Sequence, residues 1–203
     1  MTFTAKNYRQ FAHDLLNVAG RIQSVAELVE IDDETLRNML NNDVKTLTRS
    51  IKLFSKLGWC QAQSELEETH PVDASSLVFE VVAADRPEGV LLAIDENIRI
   101  ETDPTILKAL IEELVHNVAA HANTENPAKI KLYKSTKGHV LELTNEACNP
   151  LPEDYAEPFT KGQNSRGLGL GLSFVTCAAE LLKMPFNIEA EGQTVKATLV
   201  VKP

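Results

Sequence analysis

A histidine and an aspartate stand side by side in FAHDLLN, residues 11–17, and an asparagine follows four positions after the histidine. On a helix His13 and Asn17 would share one face, because residues four apart are neighbours there. A neutral imidazole can act as a nucleophile at pH 7, and an adjacent carboxylate such as Asp14 can orient its ring. Taken alone, the same pattern is also typical of a solvated helix surface.

A second polar set occurs in EELVHNVAAHA, where Glu113, Asn117 and His121 recur at every fourth position. This spacing predicts a polar stripe on one face of an otherwise apolar helix. The stripe must face either solvent or a ligand, and these residues alone leave both interpretations open. The segment lacks the HExxH spacing of a zinc site.

Glycines alternate in SRGLGLGLSFV at Gly167, Gly169 and Gly171, directly before an apolar helical pattern. Residues without Cβ let backbone N–H groups approach an anion, and the helix start adds the positive end of its dipole. The pattern therefore fits a phosphate-binding loop, although a glycine-rich turn packed on a sheet fits it equally well. Asn145, in LTNEACNPLP at a strand end, is by itself an ordinary turn residue.

The elements that must position these residues begin with two helices. Apolar residues recur at intervals of three and four from about residue 5 to 31 and again up to Gly58, with Asp32 or Asp33 as the candidate N-cap between them. Two helices of such length joined by a short turn must form an antiparallel hairpin. A hairpin cannot bury both apolar stripes alone, so we expect a homodimer with a four-helix bundle and His13 on its outer surface.

The rest of the chain predicts a second unit. The helical spacing of apolar residues is lost after Trp59. From the polar stretch onward, patterns typical of strands and of helices alternate to the end of the chain. We expect an α+β protein whose helical hairpin, residues 1–60, is followed by a linker, 61–77, and by an α/β sandwich, 78–203. Its expected elements are strands in VLLAID, KIKLYKS, HVLELTN, FNIEAE and TVKATLVV and helices in DPTILKALIEELVHNVAAHA and LGLSFVTCAAELLKM.

Composition excludes several classes of partner. The formal net charge is −9 and the isoelectric point is near 5.1, without a dense basic stripe, so a nucleic-acid partner is not expected. The sequence has no apolar run long enough for a membrane span and no secretion signal, so we expect a cytoplasmic protein without a membrane partner. Three cysteines without a CxxC pair fit a reducing compartment.

The order of these motifs resembles the catalytic core of two-component sensor histidine kinases, a phosphotransfer hairpin followed by an ATP-binding domain of the gyrase, Hsp90 and MutL type. The resemblance covers the chain from about residue 8 to 203. FAHDLLN resembles the phosphoacceptor motif in its His-Asp-x-x-Asn variant, and ELVHNVAAHA the Asn box. LTNEACNPLP resembles a degraded first glycine box, EPFTKG the phenylalanine segment before the ATP lid, and GLGLGLS the second glycine box.

The resemblance implies roles for particular residues. His13 would accept the γ-phosphoryl group of ATP, Asp14 would orient its ring, and Asn17 would orient a water when phosphate is removed from the partner protein. Glu113 matches a general-base position of ATP-hydrolysing relatives, and Asn117 would be the Mg²⁺ ligand. The residues that would contact the nucleotide are Asn117, His121, Asn145, Gly167, Gly169, Gly171 and Leu172.

The first glycine box departs from the pattern of the family. Where relatives offer Asp-x-Gly-x-Gly, this chain has Asn145, Ala147 and Asn149. The asparagine oxygen can still accept a hydrogen bond from the adenine amino group, but without the charge, which costs about 1 kcal/mol. ATP binding is therefore expected to be weakened rather than abolished.

These motifs predict an ATP-dependent histidine kinase core that transfers phosphate from His13 to an aspartate of a response-regulator receiver domain. One alternative is a histidine phosphotransferase of a phosphorelay whose nucleotide domain is vestigial. Another is a non-catalytic dimeric adaptor. Because the chain begins almost at the hairpin, either input comes from a separate sensor protein, or phosphorelay partners set the signal, or the sequence is part of a longer protein.

Overall fold

The computed structural model describes residues 5–29, 33–66, 68–85, 89–121, 126–136, 138–147, 151, 153–160 and 168–201. The helices are α1 (Ala5–Leu28), α2 (Glu34–Gln61), α3 (Ala74–Asp85), α4 (Pro104–His121) and α5 (Gly171–Leu181). The strands are β1 (His70–Asp73), β2 (Val90–Ile94), β3 (Arg99–Thr102), β4 (Ala128–Ser135), β5 (Gly138–Glu146), β6 (Phe186–Glu191) and β7 (Thr194–Val201). Helices and a mixed sheet in this order confirm the predicted α+β class.

The helices α1 and α2 form the expected antiparallel hairpin. Near the start of α1, the Phe11 ring lies edge-on to that of Phe54 near the end of α2, with 6.0 Å between the ring centroids. Asp33 is the N-cap of α2, because its Oδ1 accepts hydrogen bonds from the Thr35 and Leu36 amides at 2.9 and 3.2 Å. The sequence predicted the end of α2 near Gly58, but the helix continues to Gln61. Gly58 is a buried residue within the helix and does not end it.

The hairpin leaves much of its apolar surface uncovered in a single chain. Ala12, Ala19 and Ile51 form a small buried cluster between the two helices. Other large apolar side chains of the hairpin are exposed, namely Phe11, Val18, Ile22, Val25, Leu28, Val29, Leu36, Met39 and Leu47. Pairing with a second copy therefore stays the expectation for this surface.

The main sheet has the strand order β2-β4-β5-β7-β6, in which β2 and β4 are parallel and the other pairs are antiparallel. Along β4, buried Ala128, Ile130 and Leu132 alternate with exposed Lys129 and Lys131. This alternation places the apolar side chains on one face, which the helices cover. The prediction of an α/β sandwich with its helices on one face of a mixed sheet is confirmed.

Residues 61–77, expected to lack regular structure, contain the strand β1 and the start of α3. β1 pairs antiparallel with β3, an element that the sequence also left unassigned. Ser75 Oγ, in the first turn of α3, holds the turn that precedes β3. It donates to the Asp95 carbonyl at 2.7 Å and accepts from the Ile98 amide at 3.1 Å. The helix α3 gave only a weak amphipathic pattern because some of its exposed positions, such as Phe79 and Ala83, are apolar as well.

The C-terminal half of α2 packs against the sandwich. Leu53 and Leu57 of α2 belong to one hydrophobic cluster together with Val81 of α3, Leu110 of α4 and Phe174 of α5. The hairpin and the sandwich therefore share a core, a relationship that the sequence did not predict. None of the helices within the described ranges is long and apolar enough to cross a membrane.

Candidate active site

The phosphoacceptor candidate lies on the surface of α1. The side chain of His13 is 69% exposed, and its Nδ1 lies 3.4 Å from Asp14 Oδ1 and 3.3 Å from Asn17 Nδ2. Gln10 Nε2 donates a hydrogen bond of 3.0 Å to the same carboxylate oxygen of Asp14. The structure thus brings the three predicted residues together and, in the single chain, leaves His13 accessible as expected.

These contacts determine which nitrogen of His13 is available for chemistry. An Nδ1–H can donate to Asp14 Oδ1, which leaves the lone pair on Nε2. The Asn17 amide can present its oxygen to the same N–H after a half turn, since the two ends of an amide are interchangeable in shape. The exposed ring therefore offers Nε2 as a nucleophile, with a carboxylate available to hold the other ring proton.

The polar stripe of α4 meets the start of α5. A Cβ added at Gly171 would lie 3.4 Å from Asn117 Oδ1 and 3.6 Å from Glu113 Oε2. Both α4 residues therefore lie next to the backbone at the second glycine box. The stripe does not face solvent, because the Glu113 side chain is only 8% exposed. It lines a site formed by α4 and the N-terminus of α5.

Asn117 has an unused polar group in this site. Its Nδ2 is buried and has no hydrogen-bond partner among the described residues. Such a group costs free energy unless a ligand or water satisfies it. A carboxamide is also an oxygen donor of the kind that Mg²⁺ accepts, so the residues present fit a nucleotide with its metal ion.

Glu113 is held by a residue of the hairpin that the sequence did not single out. Arg49 Nη2 of α2 donates to Glu113 Oε2 at 2.7 Å. Burial raises the pKa of the Glu113 carboxyl, and the Arg49 guanidinium offsets this effect only in part. No local pattern marks Arg49, because its partner lies 64 positions further along the chain.

The glycine loop is joined to the phenylalanine segment before it. Gly169 has a φ of +70°, and its carbonyl accepts a hydrogen bond from the Phe159 amide at 2.9 Å. A Cβ at Gly169 would lie 2.7 Å from the Thr160 carbonyl carbon, closer than real Cβ contacts allow. Glycine is therefore required at this position both by the backbone conformation and by the neighbouring chain.

Asn145, the remaining residue of the predicted adenine pocket, is buried on β5. It shares the helix-covered face of that strand with Leu141 and Leu143, and β5 contacts α4. Ala147, at the position of a family glycine, continues the strand pairing by donating its N–H to the Gln193 carbonyl at 2.8 Å. Asn145 is thus directed toward the layer that carries Glu113 and Asn117.

Some predicted site residues cannot be placed in this way. Gly167 and Asn149 lie outside the described residues, and so does the side chain of His121. Leu172 is half-buried in the first turn of α5, beside Gly171. The placed residues form two sets, one around His13 on α1 and one on α4 and α5, and Arg49 connects the hairpin to the second.

Comparison with known proteins supports the family resemblance. No model of a known protein family matches the chain. The heme sensor protein HssS of Staphylococcus aureus strain Newman is 23% identical over 187 residues, covering 79% of this chain and 40% of HssS. The chain therefore spans less than half the length of the curated relatives it matches.

Solved structures of histidine kinases have the same fold. The histidine kinase AdeS of Acinetobacter baumannii matches with a TM-score of 0.68 and 20% identity, covering 99% of this chain and 98% of AdeS. Full-length ShkA in complex with AMPPNP matches with a TM-score of 0.76 and 15% identity, covering 97% of this chain and 45% of ShkA. The chain therefore has the fold of the catalytic core of sensor histidine kinases.

Proposed function

We propose that the chain is an autophosphorylating histidine kinase core, in which His13 takes the γ-phosphoryl group of ATP and passes it to an aspartate of a response-regulator receiver domain. The observation that carries the proposal is the site where Glu113 and Asn117 meet Gly171, in a chain that also exposes His13 on α1. Its similarity to histidine kinases supports the same activity.

The residues of this chain have distinct tasks in the proposed transfer. His13 Nε2 attacks the γ-phosphorus, a P–N bond forms, and the P–O bond to the leaving ADP breaks. Asp14 keeps the proton on Nδ1 and stabilises the positive charge that develops on the ring. Asn17 orients a water when the phosphorylated receiver is hydrolysed, which makes the chain a phosphatase of its partner as well.

The nucleotide is held by α4, α5 and the loop before α5. Asn117 would hold Mg²⁺ through its side-chain oxygen, and the ion would supply positive charge that offsets the charge of the phosphates. The loop backbone at Gly169 and Gly171 contacts the phosphates, and Asn145 accepts a hydrogen bond from the adenine amino group. Gly167, His121 and Leu172 complete the proposed set.

Glu113 is the proposed general base, but Arg49 occupies its carboxylate in this arrangement. The transfer to His13 itself needs no base, because Nε2 attacks with its lone pair, so Glu113 would act on a water, and for that its ion pair with Arg49 has to open.

We further propose the assembly and the setting of this reaction. The exposed apolar side chains of α1 and α2 pair with a second copy in a four-helix bundle, and residues 1–60 and 78–203 act as phosphotransfer and nucleotide units joined by 61–77. ATP as the donor places the proposed reaction in the cytoplasm.

A histidine phosphotransferase on the same dimeric scaffold is the second candidate. It is favoured by the first glycine box, where Asn145 and Ala147 replace the aspartate and a glycine of the family pattern. In that case His13 takes phosphate from one receiver and gives it to another, and ATP is not bound.

Incubation of the purified protein with γ-labelled ATP and Mg²⁺ tests the proposal. We expect label that is labile in acid and stable in base, that is lost in His13→Ala, and that remains in His70→Ala, a control at another exposed histidine. Absence of label together with absence of ATP binding in calorimetry would contradict the kinase. The phosphotransferase would then require labelling of His13 from a phosphorylated receiver.

A further inference from the structure

Two cysteines far apart in the sequence meet where the hairpin packs on the sandwich. Cys60, at the end of α2, and Cys177, in α5, are 117 positions apart, yet their sulfur atoms lie 2.8 Å from each other. Both are free thiols; Cys60 is buried, whereas Cys177 is partly accessible. A disulfide has a sulfur–sulfur bond of about 2.05 Å, so an approach of about 0.8 Å would complete one.

We propose that Cys60 and Cys177 form a reversible disulfide in response to hydroperoxides or to low-molecular-weight disulfides, and that this bond fastens α5 to α2. No metal site explains the pair, because no cluster of three or more His, Cys, Asp or Glu side chains that could hold a metal ion occurs in the described part of the chain.

The more accessible thiol reacts first. The Cys177 thiolate attacks one oxygen of a hydroperoxide, the O–O bond breaks, and a sulfenic acid forms while hydroxide, or alkoxide from an organic peroxide, leaves and is protonated. Cys60 then loses its proton and attacks the Cys177 sulfur, so that an S–S bond forms and the S–O bond breaks with release of water. The two thiols lose two electrons, and the peroxide gains them.

The surroundings of the pair favour this order. In the neutral pair the Cys177 thiol donates to Cys60 Sγ; once Cys177 is ionised, Cys60 donates in return, and this contact lowers the pKa of Cys177. The same hydrogen bond, together with burial, raises the pKa of Cys60. Cys177 is therefore the group that ionises and meets the oxidant, and Cys60 lies in place as the resolving thiol.

The bond would act on the contact that also holds the candidate active site. Arg49, Lys56 and Cys60 lie on one side of α2, where they meet Glu113 and Glu112 of α4 and Cys177 of α5. Gly171, the first residue of α5, borders the site of Asn117. A covalent bond between α2 and α5 would therefore restrict movement of the nucleotide site relative to the hairpin.

A functional consequence follows, and it rests on the proposed function. If His13 is phosphorylated from the nucleotide site, the γ-phosphate held by α4 and α5 has to reach α1, and a bond between α5 and α2 restricts that approach. The oxidised protein should then autophosphorylate at least tenfold more slowly than the reduced protein, and a dithiol reductant should restore the rate.

The first test maps the bond itself and does not depend on activity. Cys148→Ser, which removes the third cysteine, is used as the background; the protein is treated with hydrogen peroxide or oxidised glutathione, alkylated and digested. We expect a peptide pair linked through Cys60 and Cys177 that disappears on reduction and does not form in Cys60→Ser or Cys177→Ser. Free thiols after oxidation, or only links between chains, would overturn the proposal.

The second test measures whether the disulfide between α2 and α5 stabilises the folded protein. Oxidation should move the urea midpoint of unfolding to a higher concentration, because the bond closes a long loop of the unfolded chain. An unchanged midpoint would show that the bond does not fasten α5 to α2. A linked protein with an unaltered autophosphorylation rate would refute the kinetic consequence, whereas a protein inactive in both states would refute the proposed function and leave the mapping result standing.

Discussion

Arg49 Nη2 lies 2.7 Å from Glu113 Oε2 and so connects the second helix of the hairpin to the polar stripe of α4. The Glu113 side chain is 8% exposed and that of Arg49 is 33% exposed, so the carboxylate depends on the guanidinium for compensation of its charge. Since Glu113 borders Asn117 and Gly171, the hairpin reaches directly into the candidate nucleotide site.

Replacing Arg49 should destabilise the protein. In Arg49→Met the Glu113 carboxylate is left buried without a cation, and we expect the free energy of unfolding to fall by about 2 kcal/mol, less than for a fully buried pair because the arginine is partly solvated. Urea denaturation measures this change. Lys52→Met, at an exposed position of the same helix, is the matched control and should differ little from wild type.

A double-mutant cycle separates the ion pair from other effects of these substitutions. The loss in Arg49→Met combined with Glu113→Gln should be smaller than the sum of the two single losses, by about 1 kcal/mol or more. Strictly additive losses would show that the two side chains do not interact in solution.

The raised pKa of Glu113 predicts how stability depends on pH. Burial, only partly offset by Arg49, raises this pKa above the ordinary value of 4.5. At a pH between 4.5 and the raised pKa, the unfolded chain has lost the proton that the folded chain keeps. The contribution of Glu113 to stability is therefore fully present below pH 4.5 and declines as the pH rises through this interval. In Glu113→Gln that decline should be absent.

The free energies of unfolding of wild type and Glu113→Gln are measured by urea denaturation at pH values from below 4.5 to about 7. Their difference is then plotted against pH. The advantage of wild type over Glu113→Gln should shrink with rising pH. Glu112→Gln, the neighbouring and half-exposed carboxylate, controls for the loss of one negative charge. A difference that grows with pH would mean that Arg49 outweighs burial.

Gly169 should tolerate no side chain. Gly169→Ala combines a left-handed φ with a Cβ 2.7 Å from the Thr160 carbonyl carbon, so we expect a loss of about 2 kcal/mol or a displaced loop with weakened ATP binding. Gly192→Ala is the control for the backbone conformation alone, because its φ is +62° and nothing lies within 4 Å of the added Cβ.

Urea denaturation and calorimetric titration with ATP compare the two glycine variants. Gly192→Ala should lose only about 1 kcal/mol and bind ATP as wild type does. Equal losses in both proteins, with equal ATP affinity, would show that the contact between Gly169 and the phenylalanine segment does not matter.

Asn145→Asp should strengthen ATP binding if Asn145 faces the adenine. The carboxylate restores a charge-assisted hydrogen bond to the amino group, which is worth about 1 kcal/mol or roughly a fivefold gain in affinity. Calorimetry with ATP and with GTP measures the gain and its specificity for adenine. Asn38→Asp, on the exposed surface of α2, controls for the added charge.

The opposite result would be informative as well. A correctly folded Asn145→Asp protein that binds ATP no better than wild type would remove Asn145 from the adenine pocket. It would also favour the phosphotransferase over the kinase, because the eroded first box could then not be repaired at this position.

Local signals were sufficient for much of the fold. The apolar period of α1 and α2, the Asp33 cap and the alternation along β4 all arise from neighbouring residues, and the structure confirms them. The strand β1 was missed because it has only four residues, and α3 because apolar residues occur on its exposed face as well as on its buried one. In both cases the partner that stabilises the element, β3 or the helix layer, is distant in sequence.

For the candidate site, too, local spacing predicted some of the arrangement and the tertiary structure supplied the rest. Spacing alone placed His13 beside Asp14 and Asn17, because a helix brings together residues one turn apart. The same rule predicted that Glu113 and Asn117 share a face of α4, but it left open whether that face met solvent or a ligand. Gly171, packed against Glu113 and Asn117, shows that these two residues face another element of the fold.

The sequence by itself therefore determined the fold class, the long helices and most strands, and the residue types that could bind and transfer phosphate, because each depends on periodicity, caps or motifs within a few turns of chain. Only the tertiary structure decided that α2 docks on α4 and α5, that Arg49 holds Glu113, and that Cys60 meets Cys177. Contacts across 64 and 117 positions leave no local pattern, since they arise when the apolar faces of whole elements are buried against one another.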